Sequence, residues 1–418
     1  MKNNEREISV YVLMDIFETK GYNNIVLKNT LSKYDLGNKQ KAFITETVNG
    51  TLRNLILIDY IINYFSKTKT KKMKAFILNL LRISVYQMKY MDKVPPSAIC
   101  NEAVKLTKKK GFGGLSGFVN GVLRNIDRNL SNIEYPTKSI EKLALENSIP
   151  MWLINYWNFK EEDLIKLCNA SNKKPVVSIA TNTLKISNVD LRKVLDNSNV
   201  TITEEFGHGF CVKNLRDYTG NFHVIDKNAI KAIEILNPKE NEIVLDMCAA
   251  PGGKSFMSSY LMKDTGKIIA CDIYEHKLNL INDMQQSLGI TNIETQLLDG
   301  TILHPDFENK FHKVIADVPC SGFGLIQKKP DIKYNKTMED INSLIPIQRK
   351  ILENASKYVK VGGRILYSTC TISKKENEEN IHYFLNKFNF KVIEEIQYIM
   401  GVNTNNDGFY ICVLERKA

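Results

Sequence analysis

Apolar positions change their period along the chain. In the first 130 residues they recur at helical spacing. Ile8, Tyr11, Val12, Ile16 and Phe17 form one stripe, and Ile77, Leu80, Leu81, Val85 and Met88 form another. Proline is absent until the turn signal Val94-Pro95-Pro96-Ser97. The spacing predicts a further helix over 101–110 and a flexible loop over 111–114. A last helix would bury Phe118, Val122 and Leu123 and expose Arg124 and Arg128. An all-α bundle of about six or seven helices over 1–135 follows.

Beyond the linker signal Tyr135-Pro136 the pattern mixes. Trp152, Ile154 and Tyr156 sit in a short helical stretch, and strands are expected at 176–180 and 200–203 with a helix over 189–195 between them. Residues 136–225 thus predict a small α/β module, ferredoxin- or RRM-like. From 226 to 418 apolar strands at 243–245, 268–271, 295–298, 314–316 and 365–367 alternate with helical segments. Near-continuous apolar strands of this kind predict a parallel, doubly wound sheet, a Rossmann-like α/β domain.

A chain of 418 residues suits such a two- or three-domain plan. It is 43% hydrophobic and 25% charged, as expected of a soluble globular protein. No apolar run is long enough to cross a bilayer, and the start lacks the basic-then-apolar order of a secretory signal. The eight cysteines show no CxxC pair and no Cys/His cluster, so no metal is expected. Free thiols in a reducing cytoplasm are the expectation. Charge is unevenly placed. Residues 1–130 carry 22 Lys and Arg against 10 Asp and Glu, whereas 131–418 carry 35 against 36. That asymmetry predicts a polyanion-binding module beside a nearly neutral one. A Lys-rich solvated surface is the simpler alternative.

Four of the predicted strands end at a carboxylate: Asp246, Asp272, Asp299 and Asp317. One such Asp commonly caps the next helix. Four in succession point to a ligand at the carboxyl edge of the sheet. After the first strand comes Cys248-Ala249-Ala250-Pro251-Gly252-Gly253-Lys254, whose small residues let backbone approach a ligand closely. It is neither GxGxxG nor a phosphate-binding P-loop. Asp272 is placed to accept ribose hydroxyls, and Asp299 to meet an adenine amino group.

Two cysteines, Cys320 and Cys370, follow the fourth and fifth strands. Cys100, Cys168, Cys211 and Cys412 read instead as buried small hydrophobes. C5 of cytosine is a poor nucleophile. Thiolate attack at C6 turns the ring into an enamine-like nucleophile, and the adduct must later lose its C5 proton and expel the thiolate. That chemistry needs a thiolate, a group at N3 and a base. Cys370, Asp317 and Cys320 supply candidates for the three.

Cys248 to Lys254, Asp317-Val318-Pro319-Cys320-Ser321-Gly322, Pro330-Asp331-Ile332-Lys333 and Ser368-Thr369-Cys370-Thr371 resemble the RNA cytosine-C5 methyltransferases of the NOL/NOP/Sun family. Within it the chain is similar to the bacterial Sun/Fmu (RsmB) ribosomal branch. The resemblance implies S-adenosyl-L-methionine as cofactor, held by Cys248, Ala249, Ala250, Pro251, Gly252, Gly253 and Lys254 with Asp272, Asp299 and Asp317. It implies Cys370 as nucleophile and Cys320 in product release, with Asp317 and Lys254 completing the catalytic set. Segments 42–53 and 117–125 resemble the NusB-like RNA-binding domain of this branch. Together they imply 16S rRNA as partner and substrate, at the cytosine of the position-967 type. A cytoplasmic monomer touching no membrane is expected.

Departures are modest. Phe323 stands where Thr is common, Gln327-Lys328-Lys329 replaces an Arg-richer stretch, Tyr334 replaces Trp, and Cys412 falls in the closing strand. Three other readings compete. A tRNA cytosine-C5 methyltransferase would share the chemistry. A non-catalytic RNA-binding assembly factor should have lost a cysteine or a strand-end Asp, and none is missing. A DNA cytosine methyltransferase would place catalysis on Cys320 and leave Cys370 unexplained.

Overall fold

A computed structural model describes residues 4–19, 21, 23–215 and 220–418. Residues 1–3 of the expected first domain and 216–219 of the expected middle module lie outside these. The chain forms two compact units: residues 1–173 with Ile326–Asn335, and 174–325 with 336–418.

Ten α-helices lie among the described residues of the first unit before 174. Seven of them occupy the stretch from Glu5 to Asn129, matching the predicted bundle. The helix Glu5–Thr19 buries Ile8, Val12 and Ile16, and Ala75–Tyr90 buries Ile77, Leu80, Leu81 and Val85. The predicted helix at 101–110 begins earlier, at Pro96, whose fixed φ and missing N–H suit a first helical position. In Ser116–Asn129 the buried face is Val119, Val122, Leu123 and Ile126, while Phe118 is only half-buried. Helices Ser139–Glu146, Met151–Trp157 and Glu161–Ser171 complete the unit.

The ten-residue return segment Ile326–Asn335 is held in this unit by hydrogen bonds. Gln327 Nε2 donates to Ala170 O at 2.7 Å, and Lys333 Nζ donates to Arg53 O at 3.0 Å. Tyr334 Oη donates to Ser148 O at 3.1 Å, and Asn23 N donates to Asp331 Oδ2 at 3.3 Å. Burial lowers the Lys333 amine to about 7, with Arg53 pushing the same way and Cys168 opposing.

The second unit holds two sheets. The smaller is antiparallel, from β1 (Val177–Thr181), β2 (Thr201–Phe206), β3 (Gly209–Lys213) and β4 (Phe222–Val224), ordered β2-β3-β1-β4. Two of its strands match those predicted, and β3 and β4 are additions. The larger sheet comprises β5 (Ile243–Asp246), β6 (Lys267–Asp272), β7 (Ile293–Leu297), β8 (Phe311–Asp317), β9 (Val359–Thr369), β10 (Phe390–Tyr398) and β11 (Phe409–Arg416). Their order is β10-β11-β9-β8-β5-β6-β7. Strands β5 to β9 pair in parallel, as predicted, whereas β10 and β11 join antiparallel. The sheet is therefore mixed, in a Rossmann-like α/β unit.

Both faces of the large sheet are covered. One core gathers Ile230, Ile233, Met257, Ile281, Ile315 and Leu366, and the other Leu245, Val314, Leu352, Tyr358, Tyr367 and Leu414. That double burial explains why β5 and β8 lack polar alternation. The order reverses at β5, from which the chain runs to β6 on one side and β8 on the other. Ligands bind α/β sheets at such a reversal, outside the carboxyl ends of the strands.

Candidate active site

Asp246 ends β5 and Asp317 ends β8, so the reversal carries two carboxylates. The chain leaves β5 through a tight turn. Ala249 N donates to Cys271 O and Gly252 N to Ala249 O, each at 2.7 Å. The Ala250–Pro251 bond is cis, and Gly252 follows at φ +103°. A Cβ there would lie 2.4 Å from the Phe256 ring, so only glycine fits. The helix Gly253–Leu261 then begins. Beneath it the buried His223 accepts or donates at both ring nitrogens: Nε2 lies 3.2 Å from Gly253 O and Nδ1 3.2 Å from Tyr260 Oη. Burial depresses this imidazole to about 4. It is neutral near pH 7, and the Nε2–H tautomer satisfies both contacts.

A cavity of about 270 Å³ opens at this edge, lined by Asp246, Cys248, Ala249, Ala250, Pro251, Gly253, Lys254, Asp317 and Cys370 among the predicted site residues. Asp226, Asp407, Leu325 and Phe409 contribute further walls. A second cavity of about 670 Å³ adjoins Pro251 and Gly253 and is walled by Phe222, His223, Phe256 and Met284.

Lys254 Nζ lies 2.6 Å from Asp317 Oδ2, and Ser368 Oγ donates to Asp317 Oδ1 at 2.7 Å. Burial works against the Lys254 ammonium, but Asp317 and then Asp246 outweigh it, so its pKa is raised. Asp246 accepts from Ser255 Oγ at 2.7 Å. Burial drives its carboxyl up to about 7, against the opposing pull of Ser255 and Lys254.

Cys320 Sγ and Cys370 Sγ meet at 3.2 Å. The hydrogen bond to Cys370 is the largest cause holding Cys320 well above the usual thiol range, followed by burial. Either sulfur can donate in this contact. A network on the residues beside them fixes this approach. Ser321 Oγ donates to Glu376 Oε1 at 2.6 Å and lies 2.8 Å from Thr371 Oγ1. Ser321 N and Gln348 Nε2 donate to Glu376 Oε2 at 2.8 and 3.0 Å. Gly324 N donates to Cys370 O at 2.9 Å, drawing the two loops together.

Four predicted residues stand apart from the cavity lining: Gly252, Asp272, Asp299 and Cys320, the last meeting the lining residue Cys370. Asp272 is buried, accepts from Tyr274 N at 3.1 Å and lies 3.5 Å from Lys277 Nζ. Asp299, two residues past β7, accepts from Thr301 N at 2.9 Å and Thr301 Oγ1 at 2.7 Å. Both carboxylates thus make the local contacts of turn residues.

Residues 233–415 match the family described as 16S rRNA methyltransferase RsmB/F, and residues 3–128 match the NusB family. A probable ribosomal RNA small subunit methyltransferase B from Bacillus subtilis is 33% identical, covering 100% of both chains. The chain belongs to the RsmB/F methyltransferase family. Among solved structures, PH0851 superposes with a TM-score of 0.83 over 100% of both chains at 23% identity. NSun6 from Pyrococcus horikoshii, crystallised with SFG, gives 0.59 over 64% of this chain and 98% of its own at 20% identity. These two likenesses speak to the fold. Membership bears out the expected methyltransferase activity and the NusB-like character of the helical region.

Four polar residues of this RsmB/F site were not singled out from sequence. Glu376 sits in the polar run 373–380, which reads as a solvated helix start, yet it is fully buried. His223 is a lone histidine in a short strand. Asp226 and Asp407 precede segments with no motif of their own.

Proposed function

We propose that the chain methylates C5 of a cytosine in 16S rRNA, of the position-967 type, through a covalent bond between Cys370 and C6. The 3.2 Å approach of Cys320 and Cys370 carries this reading. Two thiols in contact within one site suit a reaction that needs both attack and elimination. The rRNA substrate agrees with the names of the relatives and with the basic helical region. Such a substrate would be met in the cytoplasm. We also propose three modules, 1–135, 136–225 and 226–418, for RNA binding, support and catalysis.

The cavity's chemistry fits S-adenosyl-L-methionine. Asp226, Asp246, Asp317 and Asp407 face it with Lys254 as the single opposing cation among the described lining residues. Such an excess of carboxylate favours a cationic ligand. Asp246 and the Cys248–Gly253 turn would hold it, with Asp272 and Asp299 at the neighbouring strand ends. When bound, it supplies an electrophilic methyl group.

The protein's own residues do the rest. Asp317, paired with Lys254, accepts from the cytosine 4-amino group while Lys254 donates toward N3. The Cys370 thiolate forms the S–C6 bond, and the C5=C6 electrons become available at C5. Once Cys370 is a thioether it can no longer share a proton with Cys320, and Cys320 gives its own proton to solvent. Its thiolate then takes the C5 proton. The C5–H electrons restore C5=C6, the S–C6 bond breaks, and Cys370 leaves as thiolate beside a reprotonated Cys320. One proton is released per turnover, as methylation by a sulfonium requires.

Mapping 5-methylcytosine in rRNA and tRNA from a deletion strain, with and without the restored gene, tests the reading. Loss of one 16S rRNA mark is expected. A mark lost from tRNA alone would overturn it.

A further inference from the structure

A cavity of about 630 Å³ in the second unit lies beside the cysteine site and has no part in the scheme above. Its walls include Phe206 at the end of β2, Tyr398 at the end of β10, and Lys227 and Lys231 from the helix Lys227–Leu236. Consecutive residues line this cavity and the reactive one on each of two walls. Asp226 lines the reactive cavity while Lys227 lines this one, and Asp407 lines the reactive cavity while Asn406 lines this one. Asn228 Nδ2 donates to Asp407 O at 2.9 Å and closes the partition.

The lining chemistry narrows the occupant. Lys227 Nζ stands 5.2 Å above the Phe206 ring and pairs with Glu204, and Lys231 lies 3.9 Å from Glu234. Each cation is thus matched by a carboxylate, which disfavours a phosphate. Two aromatic rings with both donors and acceptors around them suit a flat, neutral ring carrying donor and acceptor edges. That is a nucleobase.

We propose that this cavity is a subsite for the base next to the target cytosine, stacked by Tyr398 and Phe206. The proposal rests on the RNA substrate assigned above. An RNA whose cytosine enters the Cys370 cavity lays the adjoining base across the Asn228–Asp407 partition. Methylation context would then be set by this neighbour as well as by the cytosine.

The test is equilibrium binding of the full chain, without methyl donor, to a short single-stranded RNA with one cytosine. The base is removed in turn from its 5′ and 3′ neighbours. Wild type should lose about tenfold or more in affinity for one of the two abasic RNAs, the size of a lost base–aromatic stack. Tyr398→Leu and Phe206→Leu keep apolar packing. They should bind intact RNA correspondingly more weakly and be indifferent to that same base removal. Losses that multiply independently, or a wild type indifferent to both removals, would overturn the subsite. Methyl transfer plays no part in the readout. A chain with the expected coupling that makes no 5-methylcytosine would sink the proposed function and leave the subsite standing.

Discussion

Ser321 Oγ and Thr371 Oγ1 lie 2.8 Å apart, joining the residues that directly follow Cys320 and Cys370. Glu376 anchors the pair from behind, taking both the hydroxyl and the amide of Ser321. The separation of the two thiols is thus set by a buried carboxylate that touches neither. Glu376→Gln turns one acceptor oxygen into a donor facing Ser321 or Gln348. Loss of about 1.5–3 kcal/mol in urea unfolding is expected, with slower adduct formation and unchanged RNA affinity. An unaltered unfolding midpoint would show that the clamp lies elsewhere.

The two thiols should fail in different ways. Cys370→Ala removes the attacking sulfur, so neither adduct nor methylated RNA forms, while the methyl donor still binds. Cys320→Ala permits attack and methyl transfer but impairs loss of the C5 proton. A protein–RNA adduct that survives denaturing electrophoresis is expected, and it should vanish in the double variant. Methylation by Cys370→Ala would reject the assignment of the nucleophile.

The Asp246 carboxyl, raised by burial to about 7, makes a pH prediction. Its unfolded value is about 3.9, so between the two values the folded chain binds the extra proton. The associated stabilisation is complete below that unfolded value and is lost as pH rises through about 7. Asp246→Asn should abolish this decline in urea unfolding of the ligand-free protein. Conversely, affinity for the cationic methyl donor should climb from about pH 6 to about 8 in wild type and stay flat in the variant. Calorimetry giving parallel profiles would remove Asp246 from the ligand site.

Gly324 admits no side chain. A Cβ there would lie 1.9 Å from Gly408 O and 2.8 Å from Cys370 O, both backbone atoms. Gly324→Ala should therefore push the Cys370 loop away from β11 and destabilise the fold by roughly 1–3 kcal/mol. Single-turnover methylation should slow more than RNA binding weakens. An unchanged rate would mean that this close approach does not position Cys370.

Much of this site is visible in the sequence because it follows strand ends. Asp246, Asp317 and Cys370 lie at or just beyond apolar runs whose parallel pairing follows from their lack of alternation. The antiparallel pair β10–β11 is harder to see. Phe390–Tyr398 is half-exposed and carries charges at neighbouring positions, so its period is blurred. Asp272 and Asp299 read as ligand groups from strand-end position and family resemblance, while their local hydrogen bonds arise from turn geometry the sequence does not display. Glu376 escaped because a carboxylate among lysines and glutamates carries no mark of burial. Nor does the run 326–335 reveal that its partners are Asn23, Arg53, Ser148 and Ala170, more than 150 positions upstream.

That last attachment has a consequence for the order in which the molecule is made. The carbonyls of Arg53, Ser148 and Ala170 are finished early in translation, but the groups that satisfy them belong to residues 327–334. At roughly 5–20 residues per second, the ribosome supplies those groups on the order of 10–30 s after residue 173. The helical half therefore emerges without the partners of those carbonyls. They come from a stretch of chain encoded in the catalytic half, and a nascent chain released before residue 327 would lack them.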